Sequence, residues 1–485
     1  MPGDWHSKPR GSSHAPEDAA QMRLSVASRC SPTAVENGKR PARPGVVTSV
    51  YHPDEPAGIL CQIGLNILPG SANLIPMSTS RETVPSMPAR QTIFCDGTSR
   101  ARHMPPSPEY LLTQVTDEQA LDTLREQWPA LATQHRYPSA FLTHQWLDAA
   151  WQWQSPDTRL RLVTARPGDR LIAACPFVAR RRHRYGITFR ALEFLSVPDT
   201  QECDILCIRD HESDFASSLA DLLVTGLTDW DLISLNLLRE DAYALQILPD
   251  VLTKAGLHTS IDKVASNPSV PLNSSWQDYY RTRSRRLKKG NNLIANRLQR
   301  KYQDIQIRHF RPGTDDKDTI HRCVEQLTDL SASSWKGRDT QNTFDQPGPR
   351  RFLKRLMQRM PEINGLSIWL LELDSTPVAS ELQLSHEGTI SALRSDFRQE
   401  LGKDSPGTYL NWKLLERMFD TDNQVYRMGP GSNAYKARWS VQDLPLYRLT
   451  VFNNTLAGRS IRLMETRIKP VLRKLRQTTD RSSLS

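Results

Sequence analysis

The stretch "DSPGTYLNWKLLERMF", residues 404–419, joins a tight turn to an amphipathic helix. Ser405 can cap the helix, Pro406 suits its first position, and Gly407 removes a side chain there. The open amides of Gly407 and Thr408, with the positive end of the helix dipole, would suit an anion such as phosphate. The alternative is a plain connection between a strand and a helix. Apolar residues four apart predict that one helix face docks on a sheet, namely Leu410, Leu414 and Met418.

Three strand-like stretches, "GLSIWLLEL", "PVASELQLS" and "TISALRSDF", precede this turn. The turn-forming pairs Asp374-Ser375 and Glu387-Gly388 separate them and predict an antiparallel meander. A meander that leads into a loop and a helix is the arrangement that binds a pyrophosphate in acyl-CoA-dependent transferases, which favours a phosphate at the turn. Glu381 on the middle strand and Asp396 at the end of the third are candidate general bases. Alternatively, both carboxylates lie at a sheet surface.

The segment "MGPGSNAYKARW", Met428–Trp439, follows the helix. Its two glycines around a proline predict a tight turn. Tyr435 could protonate a departing thiolate, and Lys436 could pair with a carboxylate or a phosphate. The alternative is a structural turn with both side chains in solvent. His309 and His386 have no serine or cysteine partner at a recognisable spacing, so we expect no covalent nucleophile.

Composition restricts the class of protein. The chain has 485 residues, a formal charge of +10 and 38% hydrophobic residues, which favours a globular protein with anionic partners. The seven cysteines fit no disulfide framework, and "CDILC", Cys203–Cys207, reads as a buried strand, so we expect no metal site and a reducing, cytoplasmic compartment. The start lacks a signal peptide, and the longest apolar run is too short to span a bilayer.

The chain divides into four parts by its sequence patterns. Residues 1–106 show no sustained period and predict a disordered leader. Residues 107–270 predict a first unit that includes a helix "VTDEQALDTLREQWPAL" and a strand "CDILCI". Residues 271–456 repeat the order of helices, antiparallel strands and helix, and residues 457–485 form a basic helix and tail. We therefore expect an α/β (α+β) fold with mixed, mostly antiparallel sheets flanked by helices, in which one fold occurs twice in tandem.

Two segments are strongly basic. "RTRSRRLKKG" places six basic residues between Arg281 and Lys289, which fits a solvated helix face, a contact with nucleic acid or tRNA, or a clamp for an anionic substrate. The C-terminal "SIRLMETRIKPVLRKLRQ" is a basic amphipathic helix interrupted by Pro470. It fits a helix on acidic lipid, on a partner protein or on the body of this protein.

The order of these segments resembles the CelD/BcsL family of GNAT-like acetyltransferases, which is associated with cellulose and other exopolysaccharide synthesis. The resemblance spans residues 108–455 and rests on "FLTHQWLDAAW", "LIAACPFVARRR", "ALEFLSV", "RSRRLKKGNN", "PVASELQLS", "DSPGTYLNWKLLE" and "MGPGSNAYKARW". The tandem fold is also similar to that of Fem-type aminoacyltransferases, which use aminoacyl-tRNA to modify cell-wall precursors. The resemblance implies two tandem GNAT-like domains, with the acyl donor bound in the second.

The resemblance also implies roles for single residues. Ser405, Pro406 and Gly407 fall on the family's Ser-Pro-Gly turn, which binds the acyl donor. Tyr435 and Lys436 fall on its Tyr-Lys pair, which implies catalytic roles for both.

Two further positions match the family as substrate-binding residues. Trp439 falls on the aromatic residue after the Tyr-Lys pair, and Arg286 falls on the arginine of the basic helix. The chain departs from the family just before the first glycine of the turn, where Arg427-Met428 replaces an acidic-aromatic pair. An acidic partner for Lys436 is therefore missing from that spot, which leaves its role open.

We expect an acyl-CoA-dependent N-acyltransferase that uses acetyl-CoA or another acyl-CoA as co-substrate. The CoA diphosphate would lie on the amides of Gly407 and Thr408, and a small-molecule amine or amino sugar would attack the thioester directly. Glu381 or Asp396 would take the proton, and Tyr435 would serve the leaving thiolate. We expect a cytoplasmic protein of envelope or polysaccharide metabolism, with peripheral contact to a membrane or to synthesis machinery and without a DNA partner. The alternatives are a Fem-like transferase that uses tRNA and a non-catalytic accessory protein with a degenerate fold.

Overall fold

The structure is a computed structural model that describes residues 111–334 and 342–469. The predicted leader, residues 1–106, lies outside these described residues, as does the chain after residue 469. Within the described residues, thirteen strands join in one sheet. In chain order they are β1 (Leu111–Val115), β2 (Arg159–Arg166), β3 (Ala173–Arg184), β4 (Ile187–Phe194), β5 (Leu206–Cys207), β6 (Leu232–Arg239), β7 (His258–Pro271), β8 (Ile305–Phe310), β9 (Leu366–Leu373), β10 (Thr376–His386), β11 (Thr389–Phe397), β12 (Val425–Arg427) and β13 (Gln442–Phe452).

Helices cover both faces of this sheet. They are α1 (Glu118–Asp122), α2 (Trp128–Thr133), α3 (His144–Trp153), α4 (Glu212–Asp221), α5 (Tyr243–Gln246), α6 (Leu248–Lys254), α7 (Trp276–Thr282), α8 (Arg285–Lys301), α9 (Lys317–Ser333), α10 (Pro347–Arg359), α11 (Pro406–Met418), α12 (Lys436–Trp439) and α13 (Leu456–Leu463). None of the helices in the described part of the chain combines the length and the apolar character that crossing a bilayer requires.

The sheet is mixed and mostly antiparallel, as the sequence predicts. The strand order is β1-β2-β3-β4-β6-β13-β7-β12-β11-β10-β9-β8, and the short β5 pairs with β3. The pairs β4/β6 and β11/β12 are parallel, and the other ladders are antiparallel. The meander β9-β10-β11 is confirmed, with positive φ angles at both predicted turns.

The two halves of the chain follow one order of elements and exchange one strand. Each half runs from a strand through helices to a three-strand meander, then through a helix to a fifth strand and on to a final strand, and the first half adds the two-residue β5. The final strand of the first half, β7, pairs with β12 of the second half, and β13 returns to pair with β6. Since β7 and β13 also pair with each other, the sheet continues without interruption across the predicted boundary at residue 270.

Two apolar cores lie against this sheet. The larger one includes the first half and also α9 and α10, where Phe352 of α10 packs between Trp146 and Trp153 of α3. The second core lies under α7, α8 and α11 and includes Leu410, Leu414 and Met418, the predicted docking face of α11. The meander β9-β10-β11 therefore has a covered face on each side.

Three predicted elements differ from the structure. The helix expected in "VTDEQALDTLREQWPAL" is two helices, α1 and α2, because the chain turns after Asp122 and Pro129 starts the second one. The basic segment "RTRSRRLKKG", predicted to lie on a helix face, spans the break between α7 and α8, where Ser284 caps α8 through the amide of Leu287. The predicted strand "CDILCI" is reduced to the two residues of β5, since the Asp204 side chain binds the amides of Tyr243 and Ala244 instead.

Candidate active site

The predicted anion-binding turn begins α11 with open amides. Ser405 adopts the left-handed conformation with φ 57° and makes no side-chain cap, and Pro406 is the first residue of the helix. The amide of Tyr409 already donates to Ser405 O at 3.1 Å. Among the described residues no acceptor meets the amides of Gly407 and Thr408, and both residues are partly exposed. The geometry leaves these two donors and the helix dipole available to an anion.

Helix α8 holds this turn in place. Arg297 donates to the carbonyl of Lys403, and the Asp404 carboxylate accepts from Lys301 and, at 3.3 Å, from the Tyr302 hydroxyl. The hydrogen bond to Asp404 raises the pKa of Lys301. The cationic end of α8 therefore lies beside the open amides, and the local field also favours an anion.

The sheet opens beside β11 on the way to this turn. The parallel ladder between β11 and β12 covers Thr389–Ser391 only. Beyond it β11 carries a bulge at Leu393, where its pairing with β10 shifts, and runs on to Phe397 without a β12 partner. From Ala392 to Phe397 the open edge is about 17 Å long. One strand therefore leads from a gap in the sheet to the anion-ready turn.

A side chain of the first half reaches into this gap. The Gln201 amide donates to the carbonyl of Ala392 at 2.7 Å, and its oxygen accepts from Asn267 of β7 at 3.0 Å. Gly429, whose φ of 86° favours glycine, lies beside these groups, and an added Cβ would make ordinary contact with the Ala392 oxygen at 3.5 Å and the Gln201 nitrogen at 3.7 Å. The Asn267 Oδ1 atom is buried and meets no donor in the described residues. The gap between β11 and β12 is therefore lined at its end by polar groups of Gln201, Asn267 and Ala392.

Buried ion pairs fix the loop that carries Gln201. In residues 199–204 Asp199 pairs with Arg394 of β11 at 2.8 Å, and Glu202 pairs with Arg427 of β12 at 2.7 Å. Glu202 is therefore an acidic partner for Arg427, the residue that departs from the family pattern. Because both carboxylates are almost fully buried, losing either arginine would remove a close compensating charge from a carboxylate in the interior.

The first half has no equivalent of this arrangement. Its parallel ladder β4/β6 covers Ala191–Glu193, and the gap beyond it is filled by the chain itself, since the Cys203 amide donates to Leu237 O at 3.0 Å. Its corresponding helix, α4, carries Glu212 and Asp214 in the first turn, which repel an anion. Within residues 111–334 and 342–469, only the second half combines an open gap with an anion-ready turn.

Glu381 and Asp396 lie on opposite faces of the sheet. In the ladder between β10 and β11, Glu381 pairs with Ser395, and Asp396 pairs with Ser380. Because side chains alternate along each strand, Glu381 lies on the sheet face covered by α11 and Asp396 lies on the face covered by α9. The Glu381 carboxylate is fully buried and accepts from Gln383 at 2.7 Å, from Tyr426 at 2.9 Å, from Ser395 at 3.1 Å and from Asn411. Burial raises the pKa of Glu381, and these donors oppose that shift. Four donors use the acceptor positions of a carboxylate completely.

The remaining predicted residues are spread over the second half. Tyr435 is half-buried beside Tyr426, on the α11 face. Lys436 is buried and donates to the carbonyls of Gly429 and Pro430 at 2.8 and 3.1 Å, so it holds the turn next to the gap. Trp439 is buried in an aromatic cluster with Trp276, Tyr280 and Trp412.

Arg286 lies apart from the turn. It is exposed near the start of α8, about 16 Å along the helix from Arg297. A surface cleft of about 250 Å³ between α1, α3 and α10 also lies apart, since none of the predicted site residues lines it.

Sequence patterns did not indicate Gln201, Asn267 or Asn411. Gln201 lies in "PDTQE", a polar run that reads as a surface loop, although the structure buries it between the halves. Asn411 lies within the opening stretch, but nothing in the pattern distinguished it from its neighbours, and Tyr426 lies in no motif. The available signal was the polar run itself, because a polar loop between two strands of an apolar sheet can line a site.

Residues 294–437 match a family model described as an acetyltransferase (GNAT) domain. This segment is therefore similar to GNAT acetyltransferase domains. The prediction of a GNAT-type N-acyltransferase is confirmed at this level, and the matched segment contains the open edge of β11 and the turn before α11. No curated protein matches the chain significantly.

Solved structures with a related fold have low identity to this chain. The L-PGS structure from Bacillus licheniformis shows 14% identity over 70% of this chain and 96% of its own, with a TM-score of 0.41. FemX shows 10% identity over 70% and 98%, with a TM-score of 0.43. A tandem GNAT protein from the clavulanic acid biosynthesis pathway shows 10% identity over 71% and 100%, with a TM-score of 0.39. Likenesses of this degree support no functional conclusion.

Proposed function

We propose that the protein transfers an acyl group from acyl-CoA to an amine, and that the second half binds the donor. The observation that carries the proposal is that β11 links the gap at Ala392 to the open amides of Gly407 and Thr408. The amides and the cationic end of α8 would hold the CoA diphosphate. The two amide groups of the pantetheine arm would pair with the open edge of β11, which places the thioester at the gap.

The chemistry then requires a positioned amine and two proton transfers. The amine nitrogen attacks the thioester carbonyl, the carbon–sulfur bond breaks, and the thiolate leaves with the bond electrons. Asp396 lies about 13 Å along β11 from Ala392 and therefore accepts the amine proton through a relay of waters. It is the proposed base because the four donors on Glu381 leave that carboxylate no free acceptor position. Tyr435 gives its proton to the thiolate. Holding both reactants in line supplies most of the rate gain, so no acyl-enzyme is needed.

Lys436 and Glu381 have supporting roles in this proposal. Lys436 holds the Gly429–Pro430 turn, and Glu381 ties β10, β11, α11 and β12 together. Trp439 and Arg286 remain proposed substrate-binding residues. Membership of the CelD/BcsL family, with an amino-sugar acceptor and a role in exopolysaccharide synthesis in the cytoplasm, also belongs to the proposal.

A Fem-like, aminoacyl-tRNA-dependent reaction is the second candidate. The exposed cationic start of α8, which includes Arg285, Arg286 and Lys289, favours it. Contacts of these residues with tRNA phosphates would make binding fall steeply as salt rises.

Ligand binding to the full chain separates these candidates. Acetyl-CoA and CoA should raise the melting temperature and bind in a calorimetric titration, and free thiol should form when an amine acceptor is added. Binding of aminoacyl-tRNA without CoA binding would instead establish the Fem-like reaction. A folded chain that binds neither donor would overturn both and leave an accessory protein.

A further inference from the structure

Helix α13 presents leucines to solvent. Its inner face packs through Ile461 against Phe189 and Phe452, and Gly458 lies so close to the Asn453 and Asp231 carbonyls that no side chain fits there. The outer face carries Leu456, which is 85% exposed, and Leu463, which is 55% exposed. These leucines are seven residues apart and therefore share one side of the helix. The core holds the helix firmly, while the residues that the structure describes leave its apolar outer side exposed.

The β3–β4 hairpin joins the same surface. Glu465, one turn beyond α13, accepts from the Tyr185 hydroxyl at 2.7 Å and pairs with Arg184 at 2.8 Å and Lys469 at 3.1 Å. Tyr185 at the hairpin tip is 40% exposed, and Ile468 is also exposed. Two segments distant in sequence thus form one surface, the C-terminal patch, whose apolar members are Tyr185, Leu456, Leu463 and Ile468.

The charge of this patch is strongly positive. Glu465 is the single acidic residue in the sequence 456–469, and its carboxylate is already shared by three partners. Arg459, Arg462 and Arg467 form no ion pair within the part of the chain that the structure describes. The sequence continues with Arg473, Lys474 and Arg476. The patch therefore combines uncompensated cations with exposed apolar side chains.

We propose that the C-terminal patch docks this protein onto an anionic phospholipid surface. Helices of this kind lie in the interface of a bilayer, with leucines among the acyl chains and arginines at the headgroups. The exposed leucines and the tyrosine distinguish this occupant from nucleic acid, which would need the cations alone. The proposal does not depend on which acyl donor the protein uses.

Vesicle sedimentation with the full chain tests this proposal. The protein should pellet with vesicles of equal parts phosphatidylglycerol and phosphatidylcholine but not with pure phosphatidylcholine. The double substitution Leu456→Gln/Leu463→Gln, which keeps every charge, should weaken that binding at least fivefold. The matched control Val224→Gln changes an apolar residue of similar exposure outside the patch and should bind like the natural protein. Circular dichroism melting establishes that each variant folds.

Three results would overturn the proposal. The first is that the natural protein does not bind the anionic vesicles. The second is that the double leucine variant binds them unchanged. The third is that an RNA homopolymer competes fully for the patch and the leucine substitutions do not alter its affinity, which would identify a nucleic-acid surface.

Discussion

The Gln201 side chain donates a 2.7 Å hydrogen bond to the carbonyl of Ala392, although 191 residues separate them in the chain. Ala392 is the first residue of β11 beyond the ladder with β12. The two halves of the chain therefore meet at the point where the proposed thioester would lie. Gln201 of the first half therefore lines one end of a proposed site whose other residues belong mainly to the second half.

Replacing Gln201 by Ala should lower kcat/KM for acyl transfer at least tenfold, which corresponds to about 1.4 kcal/mol. The change leaves the Ala392 carbonyl and the Asn267 amide without a partner at the gap. Thiol release with acetyl-CoA measures the rate. Gln154→Ala is the control, since Gln154 is also buried but bonds to Ala150 and Ser196 within the first half. Equal losses in both variants would contradict a role at the site.

Substitutions at Asp396 and Glu381 should distinguish the general base from the structural carboxylate. Asp396→Asn should lower kcat by about a hundredfold or more, because a general base contributes that much. Glu381→Gln should keep kcat within about tenfold but lower the free energy of unfolding by about 1–3 kcal/mol, since the amide cannot accept from all four donors. Single-turnover rates measure the loss of catalysis, and urea unfolding measures the loss of stability. The reverse pattern would make Glu381 the base.

A side chain at Gly407 should block the diphosphate. Gly407→Val should weaken CoA binding at least tenfold, about 1.4 kcal/mol, as measured by calorimetric titration. An added Cβ would also press on Phe397 at 3.2 Å. Gly290→Val places the same side chain in α8, where an added Cβ meets nothing within 4 Å, and CoA affinity should stay unchanged. Unchanged affinity in the Gly407 variant would move the donor site elsewhere.

The ion pair between Arg427 and Glu202 should show strong coupling. Arg427→Met should cost about 3 kcal/mol of unfolding free energy, because among the described residues it leaves the buried Glu202 carboxylate only the more distant Arg239, at 3.9 Å, as a cationic partner. The double variant Arg427→Met/Glu202→Gln should be more stable than Arg427→Met alone. Urea denaturation of the four proteins in the cycle measures this coupling. Additive losses would mean that the pair contributes nothing specific.

His309 should make the protein less stable in acid. Burial, together with the charge of Arg311, lowers the pKa of His309 to about 4, and the ring stacks on Trp369. Between pH 6.5 and 4 the histidine binds a proton in the unfolded chain but not in the native protein. The free energy of unfolding therefore falls as pH falls through this window, and this loss is absent above it. The drop in urea midpoint from pH 7 to pH 5 should therefore shrink in His309→Gln. It should persist in His321→Gln, where the histidine is exposed. An unchanged drop in the first variant would refute the assignment.

Local patterns predicted much of the second half. Alternating strands and two turn pairs specify β9, β10 and β11, and the small residues at 405–407 mark the start of α11. These features depend on neighbours within a few residues. The same holds for the start of α3, where the Thr143 hydroxyl accepts from the Trp146 amide three residues on.

The remainder depends on contacts between distant segments. The exchange of β7 and β13 decides which surfaces meet, and no local pattern encodes it. Because that exchange buries residues 199–204, a run with surface polarity becomes part of the site. The face of Asp396 likewise depends on its register with Ser380, which a strand pattern alone does not fix.

The strand exchange has a consequence for biogenesis. β7 ends at Pro271, yet the strand that joins it to β6 begins only at Gln442. During synthesis, the edges of β6 and β7 that pair with β13 remain unpaired until β13 has been translated. Such late closure makes folding slow and concentration-sensitive, and it makes separate expression of either half a route to aggregation.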